Sequence, residues 1–180
     1  MFEYETSVVG SIVAVDLFLD QLPESHFPPN VEPRRGDALE LDVPDESFDA
    51  VLHAFLYHHL VGRRPAEMIA NTRRALDEAH RVLRPGGTMI VAESCVKDWF
   101  YPLEWLLFRP LTVLAKTPLL GGHPATFQLT RARLRRQVER RFRIERDYPI
   151  ATGRWISQFG RKWPTALTPA RQFILVGRKG

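Results

Sequence analysis

Three runs of apolar, largely β-branched residues predict strands that are buried on both faces. They cover Ser7–Leu17, Phe48–Leu56 and Thr88–Glu93, and each is nearly continuous rather than alternating. A shorter run, Val31–Asp37, predicts a further strand. Pro33 places that strand at the edge of a sheet, because proline has no N–H to donate to a neighbour.

The segment Pro65–Leu83 carries the clearest helical pattern. Its apolar residues recur three and four positions apart, with charged residues between them, and proline suits the first helical position. Pro85-Gly86-Gly87 is predicted to stop this helix. A second helix, basic in character, is predicted over Thr130–Arg141.

The C-terminal part predicts two strands, Phe142–Tyr148 and Phe173–Val176, joined by a loop that contains Gly153 and Gly160. Since no helix separates them, they are expected to pair antiparallel at one edge of the sheet. The alternation of buried strands and helices before them predicts an α/β fold with parallel pairing in the middle.

In a sheet of this kind ligands bind beyond the carboxyl ends of the strands. Those ends carry Asp16, Asp37, the Ala54–Phe55 pair and Glu93. We therefore expect a site to be assembled there.

Composition narrows the protein class without naming a function. The 180 residues are 44% hydrophobic and 26% charged, which fits one globular domain over residues 1–180 and excludes intrinsic disorder. The net charge is only +4, a weak bias rather than a nucleic-acid signature. Cys95 is the one cysteine, which excludes an internal disulfide framework and a cysteine-based zinc site.

A cytoplasmic location is expected, because the acidic start Met1–Glu5 is unlike a secretory signal. The most apolar stretch, Trp99–Leu120, is interrupted by Glu104, Arg109 and Lys116 and by three prolines. A membrane span needs about 20 predominantly apolar residues with few charges, so we do not expect one here.

Three motifs together resemble class I S-adenosylmethionine-dependent methyltransferases of the small-molecule subgroup called type 11. They are VAVDL (13–17), RRGDALELDVPDESFDAVLHAFLYHHL (34–60) and EAHRVLRPGGTMIVAES (78–94). The order and spacing of the acid, the Gly-Asp-Ala, the Ser-Phe-Asp and the Pro-Gly-Gly match that family over roughly residues 10 to 95. The resemblance implies a Rossmann-like methyltransferase sheet with an antiparallel C-terminal strand pair.

The resemblance also implies S-adenosylmethionine as cofactor. Asp16, with Leu17 beside it, would accept hydrogen bonds from the ribose hydroxyls, and Asp37 would accept from the adenine amino group, with Ala38 leaving room for the ring. Ala54 and Phe55 would lie near the transferred methyl group. Read without the resemblance, Asp16 caps a helical turn and Asp37 belongs to an ordinary Gly-Asp turn.

The family's glycine-rich loop is missing or replaced in this chain. Residues 1–15 contain a single glycine, Gly10, where the family has a Gly-x-Gly-x-Gly-like turn after its first, central strand. We expect an N-terminally truncated methyltransferase domain, in which two sheet halves carry unpaired edges. Such edges invite pairing with another chain, so an oligomer through an unpaired sheet edge is expected.

Tyr57 and His58 are weak candidates for catalysis, and no obligatory catalytic side chain is expected. A histidine there would serve as general base for a hydroxyl acceptor, while the alternative is that one histidine caps or packs and its neighbour His59 is solvated. Neither histidine pair has the i, i+4 spacing of a metal site, so no metal is predicted. Cys95 is read as a small buried hydrophobe.

Residues 97–128 are predicted to cover the acceptor pocket. Trp99, Trp105, Phe108 and His123 are its candidate lining, for a large apolar acceptor or for docking on lipid at a membrane periphery. The alternative is a helix packed on its own sheet.

The arginine-rich run Arg131–Arg146 is read as a solvated helix face rather than a phosphate-binding surface, and no specific nucleic-acid partner is expected. The sequence thus predicts methyl transfer to a small-molecule acceptor, hydrophobic or lipid-like. The alternative is a non-catalytic remnant of the fold that acts as a binding or dimerisation module.

Overall fold

The computed structural model describes residues 8–19, 27–60, 62–115, 126–151, 153–158 and 161–180. These residues belong to two compact units, Met1–Val43 and Pro44–Gly180, which are described separately below.

The first unit contains two parallel strands, β1 (Ile12–Asp16) and β2 (Val31–Arg35). They run in register from Ile12 opposite Val31 to Asp16 opposite Arg35. Within the described residues this is a two-stranded sheet, so Pro33 lies in a strand with one partner, as the edge prediction requires.

The second unit begins with β3 (Phe48–Ala54) and a single 3-10 turn, Tyr57–His59. It continues with these elements in chain order: α1 (Pro65–Val82), β4 (Leu83–Val96), α2 (Tyr101–Ala115), α3 (Arg131–Val138), β5 (Arg143–Pro149), β6 (Trp155–Gln158), β7 (Arg161–Pro164) and β8 (Ala170–Arg178).

Four of these strands form one mixed sheet in the order β3-β4-β8-β5. Strand β3 pairs parallel with β4, whereas β8 pairs antiparallel with both β4 and β5. The predicted α/β fold, with parallel strands followed by an antiparallel C-terminal pair, is confirmed.

Helix α1 packs its apolar face into the core of the second unit. Of the positions whose helical spacing predicts one face, Ile69 is only partly buried, and the others are at most 2% exposed: Met68, Thr72, Ala75, Leu76, Ala79, Val82 and Leu83. Buried side chains of β4 and β8 belong to the same core, among them Met89, Val91, Phe173 and Leu175. Burial of this kind stabilises a fold by about 1.5–3 kcal/mol per large apolar side chain.

Helix α1 ends within one residue of the predicted bound, and the Pro-Gly-Gly sequence follows it. The helix stops at Val82, Leu83 is already extended with ψ 138°, and Pro85-Gly86-Gly87 lies inside β4 at an irregularity in the pairing with β3. The buried Lys179 donates from Nζ to the Leu83 carbonyl over 2.7 Å. A hydrogen bond from the C-terminal segment is thus made to Leu83, the residue that caps the helix before the Pro-Gly-Gly sequence.

Strands β6 and β7 form an antiparallel hairpin where the sequence predicted a loop. Their sequences, WISQ and RKWP, show neither strict alternation nor a continuous apolar run. Pairing with each other, a tertiary property, makes them strands, so the loop prediction was wrong there.

Candidate functional site

In the first unit, two acids follow the carboxyl ends of adjacent parallel strands. Asp16 ends β1 and Asp37 lies two residues after β2, and the Gly36 N–H donates to the Asp16 carbonyl over 3.2 Å. A Cβ at Gly36 would come within 2.9 Å of a Val15 side-chain carbon, so glycine lets the turn approach β1 closely. The backbone therefore fixes these two acids side by side along the sheet edge.

Each of these carboxylates uses one oxygen to organise its own turn. Asp16 Oδ1 accepts from the Phe18 N–H over 2.7 Å, and Asp37 Oδ1 accepts from the Leu39 N–H over 2.9 Å. The capping roles considered for both acids are therefore present. Within the described residues no hydrogen bond is found for either Oδ2, so capping leaves both acids able to accept from a ligand.

These two carboxylate acceptors fit the nucleoside half of S-adenosylmethionine. Exposed Asp16 can accept from ribose hydroxyls, half-buried Asp37 from an exocyclic amine, and small Ala38 follows Asp37 directly. Leu17, at 49% exposed, offers apolar surface next to Asp16. Of the glycine-rich loop that would receive the methionine half, the described residues before β1 hold only Gly10.

In the second unit, the end of β3 adopts an unusual backbone conformation. Ala54 ends the strand, and Phe55 has φ 53°, in the left-handed region that non-glycine residues rarely adopt. Phe55 is held there by its N–H, which donates to the Ala92 carbonyl of β4 over 2.7 Å. Strained residues of this kind are often found at functional sites, and the role of Ala54 and Phe55 stays a prediction.

Glu93 is the centre of a buried hydrogen-bond cluster at the carboxyl end of β4. Its side chain is 2% exposed. Oε2 accepts from the Tyr57 N–H over 2.7 Å, and Oε1 accepts from the Ser94 N–H and from His58 Nδ1, each over 2.7 Å. Three donors thus surround one carboxylate, which satisfies a charge that would otherwise be costly to bury.

The two predicted candidates for catalysis differ in environment. His58 keeps 14% of its side chain exposed, and the only side-chain hydrogen bond it makes in the described structure is that of Nδ1. Tyr57 is buried, and its hydroxyl shares a hydrogen bond of 2.8 Å with His53 Nδ1. Burial lowers the pKa of His53 to about 4 and raises the pKa of Tyr57, so both stay neutral near pH 7.

The predicted acceptor-covering segment contains α2, which mixes exposed and buried aromatic residues. Trp99 is 68% exposed and Trp105 43%, whereas Phe108 is buried, edge-on to Phe127. His123 lies outside the described residues. No helix in the described part of the chain has the length and apolarity needed to cross a membrane.

A buried polar group links α2 to the segment that returns beside β4. Glu104 Oε1 accepts from the Gln128 N–H over 3.0 Å, and Gln128 Nε2 approaches Ser94 Oγ at 3.4 Å. Burial raises the pKa of Glu104 to about 7. Glu104 Oε2, Gln128 Oε1 and the Tyr101 hydroxyl have no hydrogen-bond partner among the described residues.

Cys95, next to this group on β4, is 2% exposed. Burial, with a contribution from the nearby Glu93 carboxylate, raises its pKa. A thiol kept protonated is a poor nucleophile, in agreement with the reading of Cys95 as a small hydrophobe.

The arginine-rich run forms salt bridges with acids of the same unit. Arg131 and Arg135 share Asp147, Arg141 contacts Asp77 on α1, and the Arg133 guanidinium lies 4.3 Å from the Tyr101 ring centroid. Arg131, Arg135 and Arg141 are thus paired with acids, and the expectation that the run binds no specific nucleic acid stays a prediction.

The sequence placed Glu93 at a strand end where a site is expected but predicted no role for it, and Glu104 and Gln128 were not named as site residues. Glu93 carried a signal, since it is an acid at the carboxyl end of a buried strand, and Glu104 carried another as an acid inside an apolar run. Gln128 carried none. In the described ranges no cluster of three or more histidine, cysteine or acidic residues is arranged to hold a metal ion.

Comparison with known proteins places the chain in a family. A family model of the type 11 methyltransferase domain matches residues 2–91. A phosphatidylethanolamine N-methyltransferase of Cereibacter sphaeroides is 32% identical over 79 residues, which cover 44% of this chain and 34% of that protein. The chain therefore matches only about a third of that relative's length.

Solved structures agree on the fold. A SAM-dependent methyltransferase from Methanosarcina mazei superposes with a TM-score of 0.65 at 19% identity, over 94% of this chain and 82% of its own. The cyclase SpnF superposes with a TM-score of 0.58 at 17% identity, over 94% of this chain and 66% of its own. A shared fold thus carries more than one chemistry. With half of its residues matched by the family model, this chain belongs to the methyltransferase domain family.

Proposed function

We propose that this protein transfers a methyl group from S-adenosylmethionine to a small, lipid-like acceptor. The observation that carries the proposal is the placement of Asp16 and Asp37 at the ends of adjacent parallel strands, each with one oxygen left for a ligand. S-adenosylmethionine supplies an electrophilic methyl carbon, so the protein's task is mainly to bind and align the two reactants.

The lipid-like acceptor is supported by the surface of α2 and its preceding turn. Among the side chains that the structure describes there, six large apolar ones are exposed, which is unusual for one short segment of a soluble surface: Trp99, Leu103, Trp105, Leu106, Leu107 and Val113. Arg109 on the same helix is exposed as well, which suits an anionic headgroup layer. The relative from Cereibacter sphaeroides carries the name of an enzyme that methylates a phospholipid.

Calorimetric titration with S-adenosylhomocysteine tests the cofactor part. We expect binding by the unaltered protein and at least a tenfold loss of affinity in Asp16→Ala, since a carboxylate that receives ribose hydroxyls is removed. Asp42→Ala, an exposed acid of the same unit, is the matched control and should bind normally. Equal binding by both variants would contradict the assigned site.

Transfer of labelled methyl groups into a mixed lipid dispersion tests the acceptor part. The dispersion should contain phosphatidylethanolamine and diacylglycerol, so that products on nitrogen and on oxygen can be separated. Label that enters water-soluble amines but no lipid would contradict a lipid-like acceptor.

The second candidate function is a non-catalytic binding or dimerisation module. It is favoured by one observation: among the described residues β1 pairs only with β2, and β3 pairs on one side only, with β4. Unpaired strand edges are templates for a second chain. A folded sample that gives no heat with S-adenosylhomocysteine and sediments as a dimer would support this alternative.

A further inference from the structure

We propose that His58 is a general base whose tautomer is set by Glu93, and that the acceptor's attacking atom still carries the proton that His58 removes. This inference rests on the proposed methyl transfer and names a property of its acceptor. A hydroxyl and an ammonium group share that property, and the experiment below distinguishes them.

The direction of the His58 hydrogen bond fixes the tautomer of its ring. Glu93 Oε1 already accepts from the Ser94 N–H and lies 2.7 Å from His58 Nδ1, and a carboxylate can only accept. The ring proton of neutral His58 is therefore on Nδ1. The lone pair that can take up a proton is on Nε2.

Of His53 and His58, only His58 has a ring nitrogen that a ligand can reach. His53 is only 7% exposed, and its Nδ1 is bonded to Tyr57. His58 retains more accessible surface, and no partner of its Nε2 is found in the described part of the chain. It follows the carboxyl end of β3, where ligands bind in parallel sheets.

His58 acquires a positive charge during the reaction. The acceptor atom gives its proton to Nε2 and its electron pair to the methyl carbon, while the electron pair of the broken sulfur–carbon bond stays on sulfur. His58 becomes an imidazolium next to the buried carboxylate of Glu93, which stabilises the cation. Water then removes the proton from Nε2. Glu93 is a positioning residue in this scheme, as the acid is in a catalytic triad.

The surroundings of the pair contain few other charges. His59 lies against the ring with a centroid separation of 4.1 Å, and Tyr57 precedes it. From α2, Glu104 is the titratable group directed toward the same end of β4. No arginine or lysine contact to His58 or Glu93 is found among the described residues, so the imidazolium has Glu93 as its counter-ion.

The first measurement is the tautomer itself, read by nitrogen NMR of the histidine rings without any ligand. Neutral His58 should carry its proton on Nδ1, and Glu93→Gln should weaken this preference, because a side-chain amide can donate to Nδ1 as well as accept from it. The tautomer of His80, whose ring packs against Phe142 just before β5, should not change. A proton on Nε2 of His58 in the unaltered protein would overturn the proposal, whether or not methyl transfer occurs.

The second measurement compares the effect of one substitution on two acceptors that differ in their need for a base. Phenol must lose a proton, whereas 4-nitrophenol is largely ionised at mildly alkaline pH. His58→Asn should lower transfer to phenol by roughly 100-fold or more and leave transfer to 4-nitrophenol within about threefold. A merely structural role would lower both equally, and that result would overturn the proposal.

Phosphatidylethanolamine vesicles form the amine arm. Transfer to the vesicles and not to phenol, lost in His58→Asn, would identify an ammonium acceptor, and the reverse would identify a hydroxyl. His80→Asn is the control and should retain full activity in both arms.

Two further results separate the outcomes. If the protein binds S-adenosylhomocysteine but methylates none of these probes, the proton-bearing acceptor is contradicted while the cofactor site stands. If it does not bind S-adenosylhomocysteine, the proposed function fails, and the tautomer measurement still decides the role of Glu93. Because Glu93→Gln leaves a donor facing a donor and can unfold the protein, His58→Asn provides an independent variant.

Discussion

The backbone N–H of Gln128 donates to Glu104 Oε1 over 3.0 Å and joins α2 to the segment beside β4. This bond favours the ionised carboxyl, but the burial of Glu104 outweighs it and raises the pKa from an ordinary 4.5 to about 7. Its partner oxygen, Oε2, has no hydrogen bond among the described residues. A buried acid that binds its proton more tightly in the folded state makes stability depend on pH.

Glu104→Gln should therefore stabilise the protein at alkaline pH. The folded state holds the Glu104 proton that the unfolded state releases, so the contribution of Glu104 to stability is full below pH 4.5 and is lost as pH rises through about 7. The variant lacks this loss. Its free energy of unfolding should exceed that of the unaltered protein by as much as about 3 kcal/mol at alkaline pH and by little near pH 4.5. Urea unfolding at both pH values measures it, and an equal effect at both would contradict the assignment.

His53→Asn should remove a pH dependence of the opposite sign. Burial lowers the pKa of His53 from 6.5 to about 4, so its contribution to stability is present above pH 6.5 and lost as pH falls through about 4. Asparagine keeps a polar atom within reach of the Tyr57 hydroxyl. The pH ranges over which Glu104 and His53 titrate overlap, and their effects on stability are opposite. The stability of the unaltered protein should therefore vary less with pH than that of either variant.

Tyr101 carries a buried hydroxyl without a hydrogen-bond partner in the described structure. Its ring packs on Phe127 and lies under Arg133. Tyr101→Phe should therefore leave the free energy of unfolding unchanged or slightly higher, since an unsatisfied group is removed. Tyr101→Ala should cost about 3 kcal/mol because the ring contacts are lost. Thermal unfolding of the two variants distinguishes the contribution of the ring from that of the hydroxyl. A large loss of stability in Tyr101→Phe would show that the hydroxyl has a hydrogen-bond partner and would contradict this prediction.

Gly87→Ala should destabilise the second unit. A Cβ there would lie 2.8 Å from the Arg84 carbonyl oxygen and 3.2 Å from that of Asp49, and backbone atoms yield little. Overpacking of this kind costs about 1–3 kcal/mol. Gly10→Ala is the control, since its Cβ would have no neighbour within 4 Å and should change stability by only a few tenths of a kcal/mol.

The exposed face of α2 predicts association with lipid vesicles. Leu106 is 75% exposed and Val113 69%. Replacing both with glutamate should weaken sedimentation with anionic vesicles by roughly tenfold, because apolar insertion is lost and repulsion is added. Trp155→Glu, on β6 and 59% exposed, is the matched control. Equal partitioning of the two variants would show that α2 does not dock.

The sequence by itself determined the strand and helix types wherever apolar residues repeat with a regular period. The inward face of α1, the parallel β3–β4 pair and the antiparallel pair of β5 with β8 all follow from local patterns. The acids at the ends of β1 and β2 were found for the same reason, because a strand end is a local feature.

Only the tertiary structure decided how distant polar groups combine. His58 and Glu93 are 35 residues apart in the chain, and Glu104 and Gln128 are 24 apart, so no local pattern pairs them. The pairing of β6 with β7 is of the same kind, since neither strand has a pattern of its own. Hydrophobic periodicity is written into neighbouring residues, whereas the burial that neutralises a histidine or orients its ring arises from segments that meet only in the folded chain.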